Sequence, residues 1–196
     1  MSTRIAERRA ETQAEILTAA WRLAARDGIA GLSLRDLAAE VGMQAPSLYT
    51  YFDGKSAIYD ALFEQGYREL NERMLQLFAG LPDGADRNCV LTSAVEAFLD
   101  FCAEHPARYQ LMFTHAIPGW EPSAEAYAVS LENYGAMVDR FAAYGIEDPA
   151  HVDLYTALVS GLAAQQLAND PGGTRWRDLA PQAAEMFLRH IDEETR

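Results

Sequence analysis

Apolar residues recur along this chain at intervals of three and four, with no sustained alternation at two. That period predicts helices throughout and no strand. The first helix is expected from about Arg8 to Asp27, with Ile16, Leu17, Ala20, Leu23 and Ala24 inward and Gly28 ending it. Ser33 then stands as an N-cap with Asp36 three residues on, and Leu34, Leu37, Ala38 and Val41 form the stripe of a short second helix. Gly42 stops that helix, because glycine takes the left-handed C′ conformation without strain. Only Met43 and Gln44 separate it from Ala45-Pro46, where proline is tolerated in a first helical turn. A third helix over Pro46–Phe52 faces Leu48 and Phe52 inward and leaves Ser47, Tyr49, Thr50 and Tyr51 on or near the outside.

A fourth helix follows from Lys55 to about residue 79, with Asp53 placed to cap it and Ile58, Leu62, Leu70, Met74 and Leu77 along it. GLPDGADR (80–87) is the clearest break in the chain. Beyond it, helix 5 spans about Arg87 to Glu104 and is ended by His105-Pro106. Helix 6 covers about Ala107 to His115, and helix 7 about Ser123 to Tyr144. Asp148 caps helix 8, with Pro149 in its first turn, and that helix runs to about Asn169. There Ala157, Gly161, Ala164 and Ala168 form a face of small residues. After PGG (171–173) a last helix is expected from about Pro181 to Glu193, since Pro181 opposes an unbroken helix from Thr174. The fold class is all-α, with about nine helices.

Two short helices across so tight a turn form a helix-turn-helix, whose second helix can lie in a DNA major groove. Its tyrosines and hydroxyls suit bases and phosphates; the competing reading is a small helical hairpin whose tyrosines pack edgewise on neighbours. Lys55 is the sole lysine among sixteen basic residues. A cation in a first helical turn opposes the helix dipole, and makes sense where a phosphate is held by the ammonium and backbone N–H groups together. A solvated surface lysine is the alternative.

Residues 28–62 resemble the DNA-binding domain of TetR-family transcriptional regulators, through Gly28, Ser33-Leu34, Leu37-Ala38, Val41-Gly42, Leu48-Tyr49, Tyr51-Phe52, Lys55 and Ile58…Leu62. The resemblance implies an N-terminal three-helix DNA-binding domain (1–54) and a C-terminal helical ligand-binding and dimerisation domain (55–196), joined by helix 4. Carried over position by position, the DNA-facing set is Ser33, Arg35, Gln44, Ala45, Pro46, Ser47, Tyr49, Thr50, Tyr51 and Lys55. Two positions depart from the family pattern: Gln44 stands where Ser or Thr often caps the recognition helix, and Tyr51 where His is commonest. Both bear on which bases are read. Arg4, Arg8 and Arg9 reach the DNA backbone in resembling proteins, or form a solvated tail. HPARYQLMF (105–113) and VSGL (159–162) loosely resemble the WHG-type TetR ligand-binding domain.

Charge sharpens the division. The chain has 196 residues and a net charge of −13. Residues 1–52 carry six basic and six acidic groups, so the whole deficit lies in residues 53–196, with ten basic and twenty-three acidic. An acidic body repels phosphate and leaves DNA contact to the head. No long uncharged apolar run and no signal-peptide pattern is visible, so a cytoplasmic protein without a membrane span is expected. Cys89 and Cys102, thirteen apart on one helix, read as buried thiols rather than a bridge. A metal site from Cys102, His105 and His115 is weak, since three ligands follow no tight motif, and no cofactor is implied. No phosphate-binding glycine loop, HExxH, nucleophile elbow or CxxC appears, so the chain does not read as an enzyme. A protein-interaction module keeping the helix-turn-helix as scaffold is the remaining class.

Phe98, Phe101, Tyr109, Met112, Phe113, Trp120, Tyr127, Tyr134, Met137 and Phe141 are taken as the candidate ligand-binding set. The region encloses an inducer pocket in TetR-like proteins, and clustered tyrosines supply polar points in an apolar cavity. Each one alone reads better as core; it is as a set that they favour a pocket lining. Leu158, Gly161, Leu162, Gln165, Met186 and Phe187 are the candidate dimer interface, a self-complementary four-helix contact. The expected protein is a TetR-like repressor, binding a near-palindromic double-stranded operator as a homodimer. It is expected to be released by a small, mostly apolar inducer, neutral or cationic because Glu96, Asp100, Glu104 and Glu132 outnumber Arg108 and Arg140 on the central helices.

Overall fold

The computed structural model describes residues 2–82 and 84–194, with side chains from Arg4 onward. Among these residues are nine α-helices: α1 (Ser2–Asp27), α2 (Leu34–Glu40), α3 (Ala45–Leu48), α4 (Lys55–Gly80), α5 (Arg87–Glu104), α6 (Pro106–Phe113), α7 (Ala124–Ala143), α8 (Pro149–Asn169) and α9 (Ala180–Glu194). Single 3-10 turns lie at Ile29–Gly31 and Arg177–Leu179, and no strand occurs among the described residues. Asp83, inside the turn-rich break at 80–87, lies outside them.

Caps decide the boundaries. Ser33 Oγ accepts from Asp36 N at 3.5 Å, Asp86 accepts from Cys89 N at 2.7 Å, and Asp148 accepts from Ala150 N at 2.9 Å. Gly42 ends the second helix at φ 68°, the left-handed region that glycine enters freely.

Three sequence expectations are corrected. The first helix begins at Ser2 rather than near Arg8; Arg4, Ala6, Glu7 and Arg8 are strong helix formers, and residues 4–10 are exposed, so no apolar face marks them. The recognition helix is α-helical only over Ala45–Leu48 instead of Pro46–Phe52. Beyond Leu48 the chain tightens into three-residue bonds, with Tyr49 N, Thr50 N and Tyr51 N donating to Pro46 O, Ser47 O and Leu48 O at 3.3, 3.1 and 2.9 Å. Cys89 is exposed, because Val90 and Leu91 take the inner side of the first turn of α5; Cys102 is buried, and both thiols are free.

The chain divides into two compact units. The first comprises residues 1–67 and 107–130. Its core joins Ile16, Ala20 and Leu23 of α1, Leu37 of α2, Leu48 of α3, Ile58, Leu62 and Phe63 of α4, Leu111 of α6 and Ala126 of α7. Burial of this kind contributes about 1.5–3 kcal/mol for each large side chain. The second unit comprises residues 68–106 and 131–196. In it α5 packs against α8 and α9, and Phe141, Tyr155 and Phe187 stack edge to face at 4.8 and 5.6 Å.

Gln166 organises the turn after α8. It is almost fully buried, and its amide donates to Asp170 O and Gly173 O while its oxygen accepts from Trp176 N and Arg177 N. A single side chain thus satisfies four backbone groups, which lets the chain turn after α8 and enter the 3-10 turn at Arg177–Leu179. The Arg177 side chain then forks onto Asp100 of α5 at 2.6 and 3.1 Å, and reaches Glu96 at 3.5 Å.

Candidate DNA-binding site

The site is built on one inward anchor and one outward face. Leu48 and Phe52 are buried, which fixes the rotation of α3 and its trailing turn. Pro46, Ser47, Tyr49 and Thr50 are consequently turned to solvent, Tyr49 at 59% exposure. Gln44 occupies the N-cap position with extended backbone and no side-chain cap bond, so the amide is available to a partner outside the chain. Arg35, on the first turn of α2, has a side chain 88% exposed, with its Nε 3.4 Å from Asp36 Oδ1. Ser33 is committed to its own helix as a cap and lies half-buried beside Leu34. Ala45 is half-buried and supplies backbone at the helix start.

Tyr51 differs from its neighbours. It is half-buried, its carbonyl accepts from Gln13 Nε2 at 2.9 Å, and the Arg9 guanidinium lies 5.9 Å from its ring centroid. α1 thus grips the end of the recognition segment. Arg4, Arg8 and Arg9 are all exposed, and of the three only Arg9 is placed by that ring contact. Lys55 opens α4 with its ammonium 5.2 Å from the centroid of Tyr59, one helical turn on. A cation over an aromatic face at that distance is attracted by about 0.5–1 kcal/mol.

Gln13, Tyr59 and Asp60 escaped the sequence reading. Tyr59 sits four residues from Lys55, a spacing that puts the two side chains together on a helix and was legible. Its other partners were not. Its hydroxyl donates to Ile29 O at 3.2 Å, and its ring meets Trp120 at 5.6 Å. Asp60 Oδ1 accepts from Trp120 Nε1 and from Ser123 N, both at 3.2 Å. Ser123 Oγ in turn accepts from Ala126 N and so caps α7. The connection between α6 and α7 is therefore fastened to the start of α4.

An aromatic column continues from there. Phe63 meets Trp120 at 6.0 Å and Tyr67 at 4.8 Å, Tyr67 meets Phe113 at 5.7 Å, and Phe113 meets Tyr109 at 5.8 Å. Tyr67 Oη donates to Met112 O, and burial pushes its ionisation up to about 12. Gly66 lies against Met112, where an added Cβ would come within 2.6 Å of the sulfur, so α4 and α6 approach closely.

Of the ten candidate ligand residues, Tyr109, Met112, Phe113, Trp120 and Tyr127 fall in the first unit and Phe98, Phe101, Tyr134, Met137 and Phe141 in the second. Phe101, Met112 and Phe141 are buried, while Tyr127 and Tyr134 are 51% and 40% exposed. The central arginines are engaged: Arg108 stacks on Trp21 at 4.6 Å, Arg140 on Phe78 at 3.8 Å, and Arg73 forks onto Glu104 at 2.6 and 3.0 Å. The Arg73 pair holds the Glu104 carboxyl below its ordinary range, and burial lowers Arg140.

On α8, Gly161 and Gln165 are exposed, Leu158 is half-buried and Leu162 is buried. On α9, Met186 is 56% exposed, whereas Phe187 points inward onto Tyr155, one residue and about 100° further round the helix. Leu154, a turn before Leu158, adds another exposed apolar group to α8. No group of three or more metal-ligating side chains suited to an ion occurs among the described residues.

A helix-turn-helix with an exposed polar-aromatic face, a guanidinium beside it and a lysine at the next helix start defines the class: a DNA-binding transcriptional regulator. Residues 16–62 match the model of bacterial regulatory proteins of the tetR family, and residues 91–193 match a tetracyclin repressor-like C-terminal domain. The chain belongs to the TetR family, whose members are transcriptional regulators rather than enzymes, with a DNA-binding head and a ligand-binding C-terminal domain. It is 30% identical over 99 residues to the uncharacterised HTH-type regulator YobS of Bacillus subtilis, covering 50% of each chain. The chain thus spans about half the length of that curated relative. Among solved structures it is similar to the putative regulatory protein SCO4313, with TM-score 0.74 and 24% identity over 93% of this chain and 97% of that one. It is also similar to the regulator FadR of Bacillus subtilis in complex with stearoyl-CoA, with TM-score 0.68 and 16% identity over 90% and 97%. These likenesses confirm the fold. No helix among the described residues is long and apolar enough to cross a membrane.

Proposed function

We propose that this chain is a cytoplasmic repressor that binds a near-palindromic operator as a homodimer and is released by a small, mostly apolar ligand. DNA reading is assigned to residues 1–54, and ligand binding and dimerisation to residues 55–196. The observation that carries the reading is the outward set Arg35, Gln44, Ser47, Tyr49 and Thr50 beside Lys55, on elements whose opposite faces are buried. One such short helix reads only a few base pairs, so a specific site needs two, related by a twofold axis.

The dimer reading is supported by one face of α8, with exposed Leu154, half-buried Leu158 and exposed Gly161 and Gln165 about a turn apart, and by exposed Met186 on α9. Phe187 would back this face from the core. The ligand reading is supported by the aromatic side chains of the candidate set and by the occupation of the central arginines. Arg73 and Arg177 are paired with carboxylates, and Arg108 and Arg140 cover rings. A ligand anion would have to displace one of them, so a neutral or cationic inducer is favoured. FadR, with its acyl-CoA, marks the opposite case.

Sedimentation of wild type and Gly161→Trp with a DNA-binding assay tests the reading. Wild type should sediment as a dimer at micromolar concentration, and the variant as a monomer without operator binding. A monomeric wild type, or a monomeric variant with full operator affinity, contradicts it.

A further inference from the structure

We propose that Tyr59 is the positioning residue for the contact of Lys55 with a DNA phosphate, and that Trp120, fastened by Asp60, fixes the ring that does the positioning. The inference rests on the phosphate role of Lys55 and adds the route by which the connection after α6 reaches it. Tyr59 is only 2% exposed, in the core of the first unit one helical turn from Lys55. Each side of it is engaged by a different part of the chain. Its hydroxyl holds Ile29 O in the turn between α1 and α2, at 3.2 Å. Its ring attracts the Lys55 ammonium at 5.2 Å. Its ring also meets the indole of Trp120 at 5.6 Å and 60°. The indole cannot drift, because its N–H is held by Asp60, the neighbour of Tyr59 in α4.

Lysine is a flexible stem with a point charge, and a contact formed by a free lysine costs the ordering of that stem. A ring held from two sides restricts the ammonium before DNA arrives. The ammonium keeps donors for phosphate, since a ring face engages only part of its three N–H groups. Movement of residues 114–123 would release Trp120, loosen Tyr59 and return Lys55 to free rotation. The phosphate contact thus depends on a loop about sixty residues away in sequence.

A double-mutant cycle measured as salt-dependent binding to random-sequence duplex DNA tests this on the full-length protein. Tyr59→Leu should weaken binding about two- to fivefold, the loss of one cation–π contact. Tyr59→Phe keeps the ring against Lys55 and Trp120 and loses only the bond to Ile29 O, so it should weaken binding less than Tyr59→Leu. In the Lys55→Ala background, Tyr59→Leu should cost nothing further. Trp120→Phe drops the bond to Asp60 and should weaken binding only while Lys55 is present. It also serves as the test if Tyr59→Leu does not fold. Equal losses with and without Lys55 would show that Tyr59 and Trp120 act on the fold generally, and would overturn the proposal. If Lys55→Ala itself left affinity and salt slope unchanged, the phosphate reading would fail, and the proposal with it. In protein labelled with 5-fluorotryptophan, the Trp120 resonance should move on adding duplex in wild type and Tyr59→Phe and stay still in Lys55→Ala. A shift that survives Lys55→Ala contradicts the route.

Discussion

Replacing Asp60 by alanine should loosen the connection between α6 and α7 while leaving the rest of the first unit in place. One carboxylate oxygen accepts both Trp120 Nε1 and Ser123 N at 3.2 Å. Hydrogen bonds to a charged acceptor contribute about 1.5–3 kcal/mol each. Asp60 and Trp120 are half-buried, and solvent partly replaces the lost partner, so each bond falls below that range, at about 1 kcal/mol, and the pair together contributes about 2 kcal/mol. That corresponds to roughly a thirtyfold rise in the open population of residues 114–123, at about 1.4 kcal/mol per factor of ten. Asp60→Asn keeps an oxygen that accepts from both donors and loses only the charge, so the rise should be about fivefold, for roughly 1 kcal/mol. Hydrogen exchange at Ser123 N and at the Trp120 indole reads these openings directly, and α1 and α2 amides serve as controls. An alanine variant with wild-type protection at both sites would refute the reasoning. So would equal loss of protection throughout α1 and α2.

Tyr49→Ala or Thr50→Ala should lower affinity for a selected operator by about 1–3 kcal/mol and barely change affinity for random duplex. Lys55→Ala should weaken both alike and reduce the salt slope by about one; competition binding at two salt concentrations distinguishes them. Gln166→Leu strands four backbone groups, and at about 1 kcal/mol each, partly recovered by water, it should cost the second unit roughly 3 kcal/mol in thermal unfolding. A loss under 1 kcal/mol contradicts that role. Tyr67 keeps its proton in the folded chain up to about 12, above its ordinary value of 10.0. The folded state therefore binds the extra proton, and stability, full below pH 10, falls as pH rises towards 12. Tyr67→Phe should flatten that alkaline decline and remove a late step from the tyrosinate titration.

Much of the architecture was legible because helix ends in this chain are signalled locally. Ser33, Asp86 and Asp148 bond to amides two or three residues away, and Gly42 and Gly145 stop their helices by conformation alone. The inward positions of the first unit were legible for the same reason, since Leu37, Leu48 and Phe52 follow from period and turn length. The start of α1 was not, because a helix with no buried face leaves no apolar stripe to read. Nor was the exposure of Cys89, since a first-turn residue of a helix reads as inner or outer only once its packing partner is known. The fastening of Trp120 to Asp60 joins residues sixty apart, and an aspartate among helical acids gives no sign of its partner. Side chains acting through one another, as Tyr59 does on Lys55, are visible in sequence only where both lie on one helix.

Selection from random duplex DNA with the full-length protein, followed by the mass of the selected complex, tests the central claim most directly. The account predicts two inverted half-sites, centred about one helical turn apart or a multiple of it, bound by an even number of chains. An unrepeated single site bound by one chain, or no enriched sequence at all, would contradict it.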